Sequence, residues 1–342
     1  MANALRCIML ASIGVLSSGS AWGGEDAPDD CQAQAVEPAV KPCPECRGKQ
    51  EFWCSECAAK SPCKLCGGSG WVRADGSGPA LFDVGGAAAW LARINALLGT
   101  GLRRVETRRF RLITDVAHRQ SHRYAITFEK YADRFNDTFG AARGEQVWRE
   151  TCEVYLFGKR ESFEQFAREV DGKPEVAASG GYSSPSADRP RVVLFADSLD
   201  DDEISRVIIH ELTHVYLGLY DGDGPLPQWV HEGVAQDFEF SYKTRGSRRK
   251  ASLKIVRKAL DDNMLMTLAE LSQMKFKNSD LLPYAASWSA VSCLMAKDAG
   301  AFVRWVKLMK QGKEQEPAFE AAFGCTMEAA NEAWRGCVVR LK

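Results

Sequence analysis

Three titratable side chains stand close together in residues 207–218, whose sequence VIIHELTHVYLG is otherwise mostly apolar. They are His210, Glu211 and His214. Burying such side chains costs several kcal/mol unless each of them finds a partner, so their presence in this segment needs a reason. On a helix, residues i and i+4 lie one above the other, and two neutral imidazoles at that spacing supply half of a tetrahedral zinc site.

Glu211 directly follows the first histidine, so it is turned about 100° around the helix axis from it. Its carboxylate is therefore expected beside a metal rather than on it, where it can take a proton from a water molecule whose pKa zinc lowers to about 7. The alternative is a helix with two ordinary histidines. With only 5 histidines in 342 residues, a chance match to His-Glu-x-x-His is improbable, so the metal interpretation is favoured.

A zinc hydrolase needs a third protein ligand and keeps a fourth position for water. After HELTH comes GLYDGDGPLPQ, whose glycines and prolines predict a loop. The next segment, WVHEGVAQDFEF, predicts a second helix, and its apolar face consists of Trp229, Val230, Val234 and Phe238. Two helices joined in this way can bring Glu232 back to the histidines, and we predict Glu232 as the third ligand.

These motifs together resemble a known family. HELTH followed, after 17 intervening residues, by Glu232 within PLPQWVHEGVAQDFE is similar to the gluzincin metallopeptidases, specifically their bacterial peptidase-MA-like branch, in which P-x-W-x-x-E-G-x-A carries the third ligand. The similarity extends from about Arg104 to the C-terminus and includes GGYSSPSADRPRVVLFAD and LLPYAASWSAVSCLM. The resemblance implies a zincin-like fold with a one-zinc peptidase site, in a branch where many members have no known substrate.

The resemblance also implies roles for residues around the zinc. In related gluzincins a tyrosine from a later helix donates to the oxyanion, a role that falls here to Tyr284; the alternative is a core tyrosine with a satisfied hydroxyl. His231 is a second candidate for the oxyanion or for the ligand position, although it points about 100° away from Glu232. A metal-bound histidine usually donates its other N–H to a carboxylate or carbonyl. The candidates for that contact are Gln236, Asp237 and Glu239.

A second pair of histidines repeats the i, i+4 spacing in AHRQSHRY. These are His118 and His122, and an arginine follows each of them, whereas no glutamate follows the first. We expect this pair at a solvated helix start rather than at a metal.

The N-terminus predicts export. MANALRCIMLASIGVLSSGSAWGG has one arginine, a largely apolar stretch from Cys7 to Leu16, and small residues ending at Ala21-x-Gly23. This is the layout of a secretory signal peptide over residues 1–23, and the apolar stretch is too short to span a bilayer core of about 30 Å. We expect a periplasmic or secreted protein that is not an integral membrane protein once the signal is cleaved. The alternative is an uncleaved N-terminal anchor.

A cysteine-rich segment, residues 43–72, follows a predicted linker over residues 24–42. It contains three C-x-x-C pairs, formed by Cys43 and Cys46, Cys54 and Cys57, and Cys63 and Cys66. Two such pairs supply four thiolates for a structural zinc, whose binding replaces the core that so short a segment cannot build.

This segment resembles the zinc domain of DnaJ-type chaperones. That domain has four pairs and two zincs, whereas this chain has three pairs, and only CKLCGGSG carries the full glycine pattern. We therefore expect one structural zinc, with two as the alternative. Export also allows disulfides, and FWCSEC resembles the W-C-x-x-C of thioredoxin-like sites, but no βαβ pattern surrounds it.

The remaining sequence predicts an α+β catalytic domain over residues 81–342, after a linker over residues 73–80. RRVETRRFRLITD, TCEVYLFG and PRVVLFAD predict strands, and HRYAITFEKYADRFNDTF predicts a helix. A small mixed sheet and the HELTH helix would thus precede a helical C-terminal lobe, in which Trp288, Trp305 and Trp334 are packing anchors. The basic run Lys243 to Lys254 is expected as a solvated loop and helix start. Of the other cysteines, Cys325 and Cys337 are a candidate disulfide.

The composition excludes one class of partner. With 44 Lys and Arg against 45 Asp and Glu, the chain has no overall basic field for nucleic acid. The sequence therefore predicts an exported zinc metallopeptidase with a peptide or protein substrate, while its oligomeric state is left open. The alternatives are a catalytically silent, zinc-stabilised protein-binding module on the same fold, and a thiol-redox module tethered to it. An intact Glu211 favours the enzyme, since a pure binder needs no general base.

Overall fold

The computed structural model describes residues 40–42, 51–54, 59–62, 71–73, 87–140, 147–148, 151–185, 190–242, 246–277 and 280–341. The N-terminal part contributes four short strands: β1 (Val40–Pro42), β2 (Glu51–Cys54), β3 (Ala59–Pro62) and β4 (Trp71–Arg73). Antiparallel pairing joins β1 to β4 and β2 to β3. The predicted signal peptide lies outside the described residues, as do Cys43, Cys46, Cys57, Cys63 and Cys66. A structural zinc in this segment stays a prediction.

A five-stranded mixed sheet lies behind the HELTH helix. Its strands are β5 (Arg103–Glu106), β6 (Phe110–Thr114), β7 (Cys152–Phe157), β8 (Gly181–Ser184) and β9 (Arg191–Phe195). They are ordered β5-β6-β7-β9-β8, with β6, β7 and β9 parallel and both edge strands antiparallel to their neighbours. The central strands are covered on both faces, which is why CEVYLF and RVVLF are almost continuous apolar runs.

Helices cover both faces of the sheet and continue into a helical lobe. They are α1 (Ala87–Leu98), α2 (His118–Phe139), α3 (Arg160–Glu169), α4 (Asp201–Leu219), α5 (Gln228–Tyr242), α6 (Ser247–Asp261), α7 (Leu268–Gln273), α8 (Leu281–Lys297), α9 (Ala299–Lys310), α10 (Gln315–Phe323) and α11 (Met327–Arg340). Among the described helices, none is long and apolar enough to cross a membrane. The fold is thus mixed α and β, rich in helix, with a small mixed sheet.

Side chains that alternate along the central strand β7 pack into two separate hydrophobic cores. Tyr155 and Phe157 of β7 pack with residues of α1 and α3, whereas Val154 and Leu156 pack into the larger core with α2, α4 and the later helices. This larger core contains the apolar residues of the HELTH helix and Trp305 and Trp334, while Trp288 packs in a smaller cluster with Phe240. All three tryptophans are buried, which confirms them as packing anchors.

The edge strand β8 was not predicted, because GYSS is short and shows no alternation of apolar and polar residues. Tertiary contacts form it instead. It pairs with β9, and the Tyr182 hydroxyl donates to an Asp171 carboxylate oxygen at 2.7 Å. β8 runs beside α4, and Gly218 of α4 approaches Pro185 so closely that a Cβ there would lie 2.9 Å from the Pro185 Cγ.

The disulfide differs from the candidate pair. Cys337 is bonded to Cys293, and this bond joins α11 to α8, with a Cα–Cα distance of 6.0 Å. Cys325 is free. The reason is the helix geometry: Cys337 lies in the later turns of α11, which packs against α8, whereas Cys325 precedes α11 and is separated from Cys337 by most of that helix, about 15 Å.

The expectation of a solvated second histidine pair is wrong for His122, which is buried. His122 lies on the inward face of α2 together with Ala125 and Phe128, three and six residues later. His118, in the first turn, is half-buried. The arginines that follow each histidine lie on other faces of the helix, so they do not report on its burial.

Candidate metal centre

The HELTH helix α4 begins at a strong start signal directly after β9. Asp200 caps it by accepting from the backbone N–H groups of Asp202 and Glu203, and the Glu203 side chain accepts in return from the Asp200 N–H. Acidic residues fill the first turn, where the positive end of the helix dipole favours them. Beyond this turn α4 is buried, and it carries His210, Glu211 and His214 into the interior.

His210, His214 and Glu232 come together as a possible metal-ligand set. One ligand atom from each residue can be chosen so that all three atoms lie within 4.8 Å of one another, and among the described residues no other such group of three forms. The Glu232 Oε2 atom lies 3.5 Å from His210 Nε2 and 3.9 Å from His214 Nε2. Both histidines therefore face one carboxylate oxygen with the same type of ring nitrogen.

The loop between α4 and α5 determines where Glu232 lies, and α9 holds this loop. The Gly224 N–H donates to the Lys310 carbonyl oxygen at 2.8 Å, and a Cβ on Gly224 would collide with the Met309 carbonyl oxygen. The buried Lys310 Nζ donates to the Gly218 carbonyl oxygen at 2.9 Å, near the C-terminal end of α4. The same lysine therefore anchors both the end of α4 and the loop that leads to α5.

Helix α5 also packs closely on α8. A Cβ on Gly233 would lie 2.5 Å from the Ser287 carbonyl oxygen, so only glycine permits this approach next to Glu232. Tyr284 lies in the first turn of α8, buried, with its ring 5.3 Å from that of Phe276. The contact between the helices thus brings the segment that carries Tyr284 up to the segment that carries Glu232.

Glu239 is the outer partner of His210. Its Oε2 atom lies 3.4 Å from His210 Nδ1, and its Oε1 atom accepts from Arg248 at 2.8 Å. Asp237, another candidate for the outer contact to a histidine ligand, is hydrogen-bonded instead by the side chains of Ser292 and Trp288, so it is directed toward α8. A carboxylate on the far nitrogen of a histidine ligand is the usual arrangement at protein zinc sites.

The protonation states fit a divalent cation. Burial would lower the pKa of His210, but hydrogen bonds to Glu232 and Glu239 outweigh it and raise the pKa to about 10. Without a metal, the second proton on His210 thus supplies the positive charge next to these carboxylates that a bound cation would otherwise supply. Burial lowers the pKa of His214 to about 3, which keeps its ring neutral. Its buried Nε2 makes no hydrogen bond to any described residue, as expected of a nitrogen available to a metal.

Glu211 lies beside this group and not in it. It is 2% exposed, and burial raises its pKa to about 7. Its Oε1 atom has no hydrogen-bond partner among the described residues, while the Ser183 side chain on β8 hydrogen-bonds to the carboxyl group. A carboxyl group with a pKa near neutrality can both accept and donate a proton in the physiological range.

His231 is likewise outside the ligand group. Its ring centroid lies 5.8 Å from that of His214, and burial lowers its pKa to about 4, so the ring is neutral. Its buried Nδ1 makes no hydrogen bond within the described part of the chain. Sequence reasoning missed Ser183, Arg248 and Lys310. Arg248 lay in the basic run after α5 and Ser183 in GGYSSPSADRPRVVLFAD, both of which had been singled out, but neither residue had been given a role.

Comparison with known proteins supports this part of the fold. The family model of the Peptidase MA superfamily matches residues 191–340, from β9 through α11. No curated protein matches the chain. The match supports a peptidase MA, zincin-like family for this range, and with it a metallopeptidase-like domain of the kind that acts on peptides and is typically zinc-dependent.

Proposed function

We propose that this protein is an exported zinc metallopeptidase that hydrolyses peptide bonds. The observation that carries the proposal is the buried group of His210, His214 and Glu232, with ligand atoms within 4.8 Å of one another and Glu211 beside it. These three residues would hold the zinc, with Glu239 behind His210. A zinc ion held there would act as a Lewis acid and lower the pKa of a water ligand to about 7.

Glu211 is the general base. Its buried carboxylate takes a proton from the attacking water and passes it to the amine that leaves when the peptide bond breaks. A pKa of about 7 suits both halves of this transfer, because a stronger acid would be a poor base and a weaker acid a poor donor. Ser183 orients the carboxyl group from the edge strand.

Two donors are candidates for the developing oxyanion of the substrate. The neutral His231 ring has one N–H to offer, and the Tyr284 hydroxyl has one O–H. Both side chains are buried: His231 precedes Glu232 on α5, and Tyr284 lies in the first turn of α8, the helix that packs on α5 at Gly233. Donors fixed in this way need little reorganisation when charge develops on the substrate.

The edge strand supplies a place for an extended peptide. β8 is the outer strand of the sheet, is paired in the described structure to β9 alone, and lies beside α4. A peptide added along it would gain backbone hydrogen bonds with little demand on side-chain identity. Through Ser183, the same strand reaches the general base.

Two features support export and one supports catalysis over binding. The predicted signal peptide points to a secretory route, and the Cys293–Cys337 disulfide suits an oxidising compartment. The second candidate function is a catalytically silent, zinc-stabilised peptide-binding protein. Retention of a buried Glu211 favours the enzyme, because burying an unneeded carboxyl group costs stability.

The test is Glu211→Gln in the mature protein, assayed with a diverse peptide library and followed by mass spectrometry. The variant should retain its zinc and lose roughly 100- to 10,000-fold in kcat/KM, the range for removal of a general base. Unchanged cleavage by the variant would contradict the proposal. A wild-type protein that binds library peptides but cleaves none would establish the silent-binding alternative.

A further inference from the structure

A line of contacts runs from the partly buried Arg248 to the metal-ligand group. The Arg248 guanidinium donates to Glu239 Oε1 at 2.8 Å, and Glu239 Oε2 lies 3.4 Å from His210 Nδ1. On the other side of the ring, His210 Nε2 lies 3.5 Å from Glu232 Oε2. Each oxygen of Glu239 thus has its own neighbour, one on α6 and one on α4.

The spacing on α5 places the His210 ring between two carboxylates. Glu232 and Glu239 are seven residues apart, about two helical turns, so they lie on the same face of α5 and about 10 Å apart along its axis. Glu232 meets one ring nitrogen of His210 and Glu239 meets the other. The orientation of the ring, and which nitrogen carries its proton, therefore depend on Glu239 keeping its position.

Glu239 cannot keep that position through His210 alone. A carboxylate held by one contact can rotate about its side-chain torsions, and a histidine that binds a metal through Nε2 must carry its single proton on Nδ1 rather than in the other tautomer. Arg248 fixes the carboxylate from a third helix, with a planar guanidinium that donates in a defined direction. This leaves Oε2 directed at His210 Nδ1, and a proton on Nδ1 leaves the lone pair of Nε2 for a metal.

We propose that Arg248 is a positioning residue for the metal centre, which acts through Glu239 to hold the His210 ring in the orientation that a zinc ion requires. Arg248 is not one of the ligand residues, and within the described part of the chain the Glu239 carboxylate is what connects it to the site. The proposal rests on the metal site of the proposed function but not on peptide hydrolysis.

The neighbouring arginine provides a matched control. Arg249 is adjacent on the same helix and has the same charge, yet its guanidinium lies over the Trp288 ring, 5.7 Å from the ring centroid. Among the described residues, the arginine that donates to Glu239 is Arg248. A change at Arg249 removes a positive charge and a packing contact from α6 while leaving the line to His210 intact.

The experiment measures zinc affinity by chelator competition on the full mature chain, for the wild type, Arg248→Met, Arg248→Lys and Arg249→Met. Each change is also made in a His214→Ala background, so that zinc held elsewhere cancels. Arg248→Met should weaken zinc binding at the His210 site about 10- to 100-fold, the usual effect of losing such an outer contact. Arg248→Lys should recover part of this loss, and Arg249→Met should change affinity less than about threefold.

Several results would overturn the proposal. They are wild-type zinc affinity in Arg248→Met, an equal loss in Arg249→Met, or the same loss from Arg248→Met when His214 is already alanine. Thermal unfolding of the metal-free variants measures general destabilisation. In that case the melting temperatures of Arg248→Lys and Arg248→Met would fall together. Zinc binding that responds to Arg248 in a protein without peptidase activity would support this proposal while rejecting the proposed function. If His214→Ala releases no zinc, both fail.

Discussion

The chain contains two histidine pairs with the same spacing on buried helices, and only one of them belongs to a possible metal site. The rings of His210 and His214 on α4 lie 4.9 Å apart, and those of His118 and His122 on α2 lie 4.5 Å apart. His210 and His122 are equally buried, each 6% exposed. Spacing and burial therefore do not distinguish the two pairs.

The surrounding charges distinguish the two histidine pairs. At α4, Glu232 and Glu239 raise the pKa of His210, whereas the pKa of His122 on α2 is lowered by burial, His118 and Arg103. Carboxylates beside a buried imidazole attract a metal cation as they attract a proton, whereas the Arg103 guanidinium that helps to lower the pKa of His122 repels one. The α4 pair is completed as a ligand group because a second helix, α5, brings Glu232 to it.

Removing that carboxylate should make the α4 pair resemble the α2 pair. We expect Glu232→Gln to weaken zinc binding at α4 on the order of 100- to 1,000-fold, because zinc binding free energies of about 10–16 kcal/mol are shared among a few ligands. Chelator competition measures the change. An affinity within threefold of the wild type would show that the carboxylate is not what separates the pairs. Glu129→Gln, on α2, should leave zinc binding unchanged.

Zinc uptake should release protons from the α4 site. At pH 8 the metal-free His210, with a pKa of about 10, carries a proton that zinc must displace, so about one proton should leave per zinc bound there. At pH 6 Glu211, with a pKa of about 7, is also protonated, and the number of protons released per zinc bound should rise above one. Calorimetry in buffers of different ionisation enthalpy measures this number, with His214→Ala as the reference. Release that does not change with pH would contradict the account.

The smallest expected effect concerns the α2 pair and stability. Because the pKa of His122 is lowered in the folded protein, the unfolded chain binds more protons as the pH falls below about 6.5, and stability is lost in that direction. His122→Gln removes this contribution, so the urea midpoint should fall less between pH 7 and pH 5 than in the wild type. An equal fall in both proteins would show that His122 does not contribute. His118→Gln is the neighbouring control.

The α4 site was accessible to sequence reasoning because its signals are local. His210, Glu211 and His214 share one helix and were indicated by their spacing, and Glu232 follows on the next predicted helix within a segment that resembles a family motif. The same local reasoning placed β7 and β9 from their apolar runs. These features depend on residues near one another in the chain, where periodicity is informative.

The remaining features depend on how separate helices pack, and the sequence does not encode that locally. Three residues of α5 were equal candidates for the contact to His210, and only the position of α6 distinguishes Glu239, through Arg248. The burial of His122 required knowing which face of α2 meets the sheet. The Cys293–Cys337 bond required knowing that α11 packs on α8. In each case a long-range contact decided between options that the local sequence left equal.

The central claim is that the α4 pair binds zinc and the α2 pair does not. Elemental analysis of the purified mature protein beside His214→Ala and His122→Ala tests it without any knowledge of the substrate. The account predicts that His214→Ala loses one zinc per chain and that His122→Ala keeps the wild-type content. Full zinc content in His214→Ala, or an equal loss in His122→Ala, would contradict it.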